Sequence, residues 1–227
     1  MSPADRPQRL TPKGQATRDR IVEAAAKLMY ERGVAATTTD DVLKAADVTS
    51  PSQLYHYFRD KRSLVQAVIR HQTENVLNFQ LPLLSHLDSF EALEAWRDAI
   101  VDAQRAGHCQ GGCPIGSLSS ELSDHDPQAR TELALSFGRW EDAIREGLTS
   151  MQRRGELDHT ADPAHLALAL LTALEGGLIM TQARRDTVAL QTVLDAMIER
   201  IRCHAPDRLR EPKISSMCCD LRSPENT

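Results

Sequence analysis

At 227 residues the chain is long enough for one large or two modest domains with proper cores. Apolar residues make up 41% and charged residues 26%, an ordinary soluble composition, and no run of about 18 apolar residues offers a membrane span. The net charge of -5 gives no hint of nucleic acid, the opening "MSPADRPQRLTPKGQATRDR" lacks the apolar stretch of a secretory signal, and five cysteines do not pair into a disulfide framework.

Charge is unevenly spread. Residues 1–75 carry 12 Lys/Arg against 9 Asp/Glu, a balance of +3, and the remainder carries 15 against 23, a balance of -8. That split permits a basic-faced N-terminal module on an acidic body. With no leader and an odd thiol count, a cytoplasmic protein with reduced cysteines is expected.

No alternating strand pattern persists, so the chain reads as all-α. A first helix is predicted near 17–32, with Ile21, Ala25, Leu28 and Met29 on one face and Gly33 past its end. A short helix follows near 39–46, capped by Thr38 or Thr39. Three later helices open with a side-chain cap followed by proline: Ser50-Pro51, Asp126-Pro127 and Asp162-Pro163. Asp88 with Glu91 reads as a capping box for a helix to about 106, and further helices fit 61–80, 117–124 and 187–202. Phe137, Trp140, Ile144 and Leu148 stripe one long helix. Residues 164–180 are apolar nearly all round, although the run "LALALLTAL" is itself too short to span a membrane. Gly176 and Gly177 inside that helix suit the close approach of another helix. The next helix offers Leu190, Val193, Leu194, Met197 and Ile201 on one face, so helices near 163–184 and 187–202 suggest a homodimer interface, with a larger monomer core as the alternative.

"HCQGGCPIG" at 108–116 is chemically the oddest stretch. His108, Cys109, Cys113 and His125 number enough for zinc, but no second cysteine pair follows at a definite spacing, and Cys218 and Cys219 lie in a tail without periodicity; no metal and no cofactor is expected. A turn is the simpler reading: glycines allow the reversal, Pro114 blocks helix continuation, and Ser117 caps the next helix. Thiol sensing through Cys109 or Cys113 stays open as the other reading, with Arg105 and His108 the nearby groups able to favour a thiolate.

The most specific text is "TTTDDVLKAADVTSPSQLYHYFRDKRSLVQAVI" at 37–69. A short helix carrying Val42, Leu43 and Ala46 meets a tight turn at Asp47-Val48, then a second short helix carrying Leu54 and Phe58. This is the pattern of a helix-turn-helix, whose second helix enters the major groove. The outer face of that helix would present Ser52, Gln53, Tyr55, His56 and Tyr57, and Lys61 would open the next helix within reach of a phosphate.

"LYHYFRDK" after an Ala-Ala turn, preceded by "TRDRIVEAAAKLMYERGVAATTTDDV", resembles the TetR family of transcriptional regulators over roughly 17–75. "GGCPIGSLSSEL" and "LEGGLIMTQARRD" resemble the C-terminal regions of its LmrA/YxaF-like members. The resemblance implies a three-helix DNA-binding domain followed by a larger helical ligand-binding and dimerisation domain. The expected layout is a flexible arm at 1–16, the helix-turn-helix domain at 17–75, the effector and dimerisation domain at 76–203 and a loose tail at 204–227. It also implies that Thr39 caps the second helix near a phosphate, that Ser52, Gln53, Tyr55 and His56 face the groove, and that Tyr57 and Lys61 hold the backbone. Two departures stand out: Asp47 where the family usually has glycine, and a spacing from Val48 to Leu54 one residue longer than usual.

The function expected is that of a repressor binding a palindromic double-stranded operator as a homodimer and released by a small molecule. Trp96, Ile100, Cys113, Leu118, Phe137, Trp140 and Glu175 are the pocket candidates, and their apolar majority implies an apolar or aromatic effector. No G-x-S-x-G, P-loop, H-E-x-x-H or dinucleotide fingerprint is present, so neither an enzyme nor a membrane partner is expected.

Overall fold

The computed structural model describes residues 10–206, and these form nine α-helices and no strand. They are α1 (Pro12–Arg32), α2 (Thr39–Ala45), α3 (Pro51–Tyr57), α4 (Lys61–Leu84), α5 (Phe90–Ala106), α6 (Pro114–Leu122), α7 (Pro127–Arg153), α8 (Pro163–Arg184) and α9 (Val188–Arg202). The chain divides into two compact units. One takes the residues up to Asn75 together with Ser117–Ala134; the other takes Val76–Gly116 and the chain from Leu135 on.

The first unit is built on short helices that cannot stand alone and are held by a shared apolar core. Ile21, Val22, Ala25, Ala26 and Met29 bury one stripe of α1, and Val42 and Leu43 of α2, Leu54 of α3, Phe58 and Leu64, Val65 and Val68 of α4 are buried with them. Between α2 and α3 the backbone reverses at Asp47, whose φ of 51° lies in the left-handed region that glycine enters more cheaply. The Val48 N–H closes the turn on the Leu43 carbonyl (2.9 Å).

The second unit is organised around α8, eight of whose residues are buried, among them Leu166, Leu170, Leu174 and Leu178. By length and composition this 22-residue helix is apolar enough to cross a membrane, at a mean hydropathy of 1.5 over its most apolar window. Its apolarity has another cause here: Gly177 lets α9 approach so closely that a Cβ there would lie 3.0 Å from the Leu190 Cα. Gly176, expected to share that role, faces open space instead. Leu190, Leu194 and Ile201 are fully buried, so the α9 face read as a dimer surface is committed to the core of this unit.

Several helix starts differ from the sequence reading, each for a local reason. α1 begins at Pro12, five residues inside the span expected to be a flexible arm, because Thr11 accepts from the Gly14 N–H (3.2 Å) and Pro12 has no N–H to satisfy. The cap of α2 is Thr38, in a reciprocal box with Asp41, which leaves Thr39 as the first helical residue and not the cap. Ser50 makes no side-chain cap bond; its hydroxyl meets Ser52 instead (2.6 Å). α5 is capped by Ser89 through the Ala92 N–H (3.2 Å), while Asp88 pairs with Arg154 (2.9 Å). α6 starts at Pro114 and not after Ser117: the Cys113 sulfur accepts from the Gly116 N–H (3.4 Å), and proline opens the helix it was expected to block. α4 runs on to Leu84, past the expected end near 80, with Pro82 inside it. At the other end, His204 and Ala205 are anchored, since the Asp158 N–H donates to the His204 carbonyl (2.7 Å) and Ala205 is buried. The rest of the expected loose tail, with Cys218 and Cys219, and residues 1–9 of the expected arm lie outside the described residues.

Candidate functional site

In the first unit α3 splits cleanly by exposure. Leu54 and the following Phe58 point inward, whereas Ser52, Gln53, Tyr55 and His56 are exposed and Tyr57 is half-buried. Tyr55 is 57% exposed and so stands outside the core. The His56 and Tyr57 rings meet edge-on at 5.0 Å, and Arg18 of α1 stacks over Phe58 at 5.2 Å. A Cβ on Gly14 would lie 3.7 Å from the Tyr57 hydroxyl, so the first turn of α1 stands beside the end of α3. Sequence reading missed this turn because it placed the helix start later.

Lys61 is less available than expected. Its ammonium donates to the Val34 carbonyl (2.7 Å), in the loop between α1 and α2, so a phosphate would have to use its remaining N–H groups. The same loop is held from its other side by Glu121 of α6, which accepts from the Val34 N–H (2.8 Å) and the Ala35 N–H (2.7 Å). Arg62 of α4 reaches Asp126, the cap of α7, at 2.7 Å. Its hydrogen bond, with the Ala129 N–H next, holds the Asp126 carboxyl below the usual range. None of these links has a sequence signal, since their partners are 27 to 87 residues apart.

In the second unit the two tryptophans of the chain are both buried, and both indole N–H groups donate to one atom, the Gln80 Oε1, each at 3.0 Å. Beside them lies a cavity of about 130 Å³. Its walls include three of the sequence candidates, Ile100, Cys113 and Trp140, together with Gln80, Gln104, Phe79, Leu174 and Leu178, which the sequence reading did not single out. Trp96 stands behind Gln80 and does not line the cavity; Phe137 is half-buried elsewhere on α7, and Leu118 is buried in the first unit. A Cβ on Gly116 would come within 2.5 Å of the Glu175 carboxylate. Glu175 is not itself on the cavity wall; its Oε1 is buried without a partner, and burial pushes its carboxyl up, against the smaller effect of the Cys113 thiol as donor.

The cysteine loop is a turn. His108 and Cys109 both take left-handed φ values of 54°, Gly111 and Gly112 follow at 82° and 63°, and Arg185 donates to the Cys109 carbonyl (3.1 Å). At Gly112 a Cβ would meet Gln182 at 2.9 Å. Burial first, and the Glu175 charge second, push the Cys113 thiol well above its ordinary 9.0, the reverse of what a reactive thiolate needs. Neither Arg105 nor His108 offsets this. Among the described residues no three His, Cys, Asp or Glu side chains gather as a metal site.

Family comparison agrees with this architecture. Residues 21–68 match the model for bacterial regulatory proteins of the tetR family, and residues 89–197 match that of the tetracyclin repressor-like C-terminal domain. An HTH-type transcriptional regulator of Mycobacterium tuberculosis is 30% identical over 204 residues, covering 86% of this chain and 100% of its own. The chain belongs to the TetR family of transcriptional regulators. Its TetR-type helix-turn-helix makes it a DNA-binding regulator, and α3 is the second helix of that motif. The HTH-type transcriptional repressor DhaR of a Mycobacterium species is 25% identical over 81% of this chain and 91% of its own. The crystal structure of a TetR regulatory protein from Rhodobacter sphaeroides shares the fold, with a TM-score of 0.72 at 21% identity over 81% of this chain and 97% of that one. The C-terminal match is to the tetracyclin repressor-like domain and does not single out the LmrA/YxaF-like members.

Proposed function

We propose that this TetR-family regulator is a repressor that binds a palindromic operator as a homodimer and is released by a small apolar or aromatic molecule in the cavity of the second unit. The observation that carries the DNA side is the split of α3. Leu54 and Phe58 fix the helix from beneath, and Ser52, Gln53, Tyr55 and His56 stand on the outer face with donors and acceptors suited to base edges. Tyr57 and Lys61 hold phosphates, helped by the first turn of α1. Relatives named as repressors support the sign of regulation.

The outer face of α8 supports the dimer. His165, Leu168, Thr172, Gly176 and Ile179 follow one another at helical spacing, all exposed, with Ile179 at 62%. Gly176 opens the middle of that stripe, so a second copy can approach closely. Effector release then follows from differential affinity: the ligand favours a conformer whose two α3 helices no longer match the half-site spacing. An intact TetR-type motif and a neutral Cys113 favour ligand release over thiol chemistry.

Fluorescence anisotropy on labelled duplexes from the gene's own upstream region tests this reading. Saturable binding should weaken steeply with salt as phosphate contacts release counterions. Gln53→Ala should change preference between sequences by about 1–3 kcal/mol at one base position. Equal loss on every duplex would remove Gln53 from the base-reading set, and a monomer by light scattering would remove the dimer.

A further inference from the structure

The arrangement around Gln80 says more about the ligand than its apolar walls do. A glutamine amide has one acceptor oxygen and two donor N–H groups on its nitrogen. Two indole N–H groups are donors only, so they can hold the oxygen and never the nitrogen; the amide is thereby oriented without ambiguity. Gln80 is only 5% exposed, and among the described residues its Nε2 donates to no protein atom. Yet Gln80 lines the cavity, and its Nε2 is not among the polar atoms sealed away without a partner. The end left over after the indoles take the oxygen is the end that meets the cavity.

We propose that the Gln80 amide N–H is the anchoring donor of the cavity, and that the ligand is a single-ring apolar molecule carrying an acceptor oxygen, such as an aryl ketone or aldehyde. This rests on reading the cavity as the effector site. The size fits: a cavity of about 130 Å³ is close to those of roughly 150 Å³ that hold one benzene ring. Ile100, Leu174 and Leu178 supply apolar wall, and Trp140 supplies both a wall and a clamp on the amide. An oriented, nearly buried donor gains from a ligand oxygen, whereas an isosteric hydrocarbon leaves it unpaired, which is how buried polar groups discriminate. A ligand cation gains nothing from this donor.

Acetophenone and its hydrocarbon isostere α-methylstyrene form the test pair. Binding to the reduced full-length protein is read by the emission of Trp96 and Trp140, the two tryptophans of the chain. Gln80→Glu keeps an acceptor for both indoles and removes the donor; Gln80→Met removes both. Comparing the ratio of the two dissociation constants between proteins cancels the different solvation of the two compounds. The ratio should shift about tenfold against acetophenone in Gln80→Glu, measured at pH 8 where two indole donors keep the carboxylate ionised, and in the same direction in Gln80→Met. The carbonyl stretch of bound 13C-acetophenone should also lie to the red of its position in hydrocarbon solvent, a readout that needs no variant. An unchanged ratio, or an unshifted carbonyl, overturns the anchor while leaving the cavity as a ligand site. No binding of either compound to the unaltered protein overturns the effector reading itself.

Discussion

Gly176 and Gly177 are adjacent on one helix, yet alanine should have opposite effects at the two positions. Helix propensity favours alanine over glycine at both by about 1 kcal/mol, and since that gain is common to both, their difference isolates packing. At Gly177 the new methyl would meet the Leu190 Cδ1 at 2.8 Å, the Leu190 Cα at 3.0 Å and the Val193 Cγ1 at 3.1 Å. The Leu190 side chain can rotate away, but its Cα moves only if α9 moves. Overpacking of this kind costs about 1–3 kcal/mol, so the net effect of Gly177→Ala is a loss of up to about 2 kcal/mol, or a midpoint lower by up to about 8 °C at 2–4 °C per kcal/mol. Nothing lies within 4 Å of a Cβ at Gly176 in the single chain. Gly176→Ala should therefore raise the midpoint by about 2–4 °C when the chain is dilute, and lose that gain at high concentration, where the proposed dimer would cover this face of α8. Thermal unfolding followed by far-UV circular dichroism at two protein concentrations reads both. Equal midpoints for the two variants would refute the close approach of α8 and α9.

Glu121→Ala should lower the thermal midpoint and weaken operator binding, because it removes the acceptor of the part-buried Val34 N–H and the exposed Ala35 N–H, at about 0.5–1.5 kcal/mol; Glu121→Gln, which keeps one acceptor oxygen, should lose less, and indifference in both assays would sink this role. Burial raises the folded-state Glu175 carboxyl above its ordinary 4.5, so the folded chain binds this proton more tightly and stability declines as pH rises through the folded value. Glu175→Gln should accordingly gain little at pH 4 and raise the midpoint at pH 8, whereas a gain independent of pH would contradict the sign. The Cys113 thiol should react with iodoacetamide at pH 7.5 far more slowly than the half-buried Cys203, as mapped by mass spectrometry; preferential modification of Cys113 would revive the sensor reading.

The DNA-reading element was open to sequence reading because its determinants are local. Leu54 and Phe58 four residues apart, a two-residue turn and a run of polar and aromatic side chains lie within a dozen residues, so helical periodicity alone separates the buried face from the outer one. Helix starts were less legible. Thr11, Thr38 and Ser89 compete with equally plausible neighbours, and which hydroxyl or carboxylate caps depends on where the other groups find partners. Asp88 is drawn to Arg154, and Ser89 takes the cap.

The cavity was legible only in part. Ile100 and Trp140 were found because they are apolar and lie within predicted helices, and Cys113 because it is a small apolar residue of the glycine-rich turn before α6. Gln80 was missed because a glutamine near the end of a helix ordinarily faces water, and only the packing of α4, α5 and α7 brings two indole donors to its oxygen. The same holds for Lys61, whose ammonium is held by a carbonyl 27 residues away, and for Glu121, which caps a loop 86 and 87 residues away. The sequence by itself determined what repeats within a turn or two of helix: an all-helical chain, a helix-turn-helix, and which of its side chains face outward. The tertiary structure alone decided which polar groups meet, because a buried donor or acceptor takes whatever partner packing delivers, however far apart the two lie in the chain.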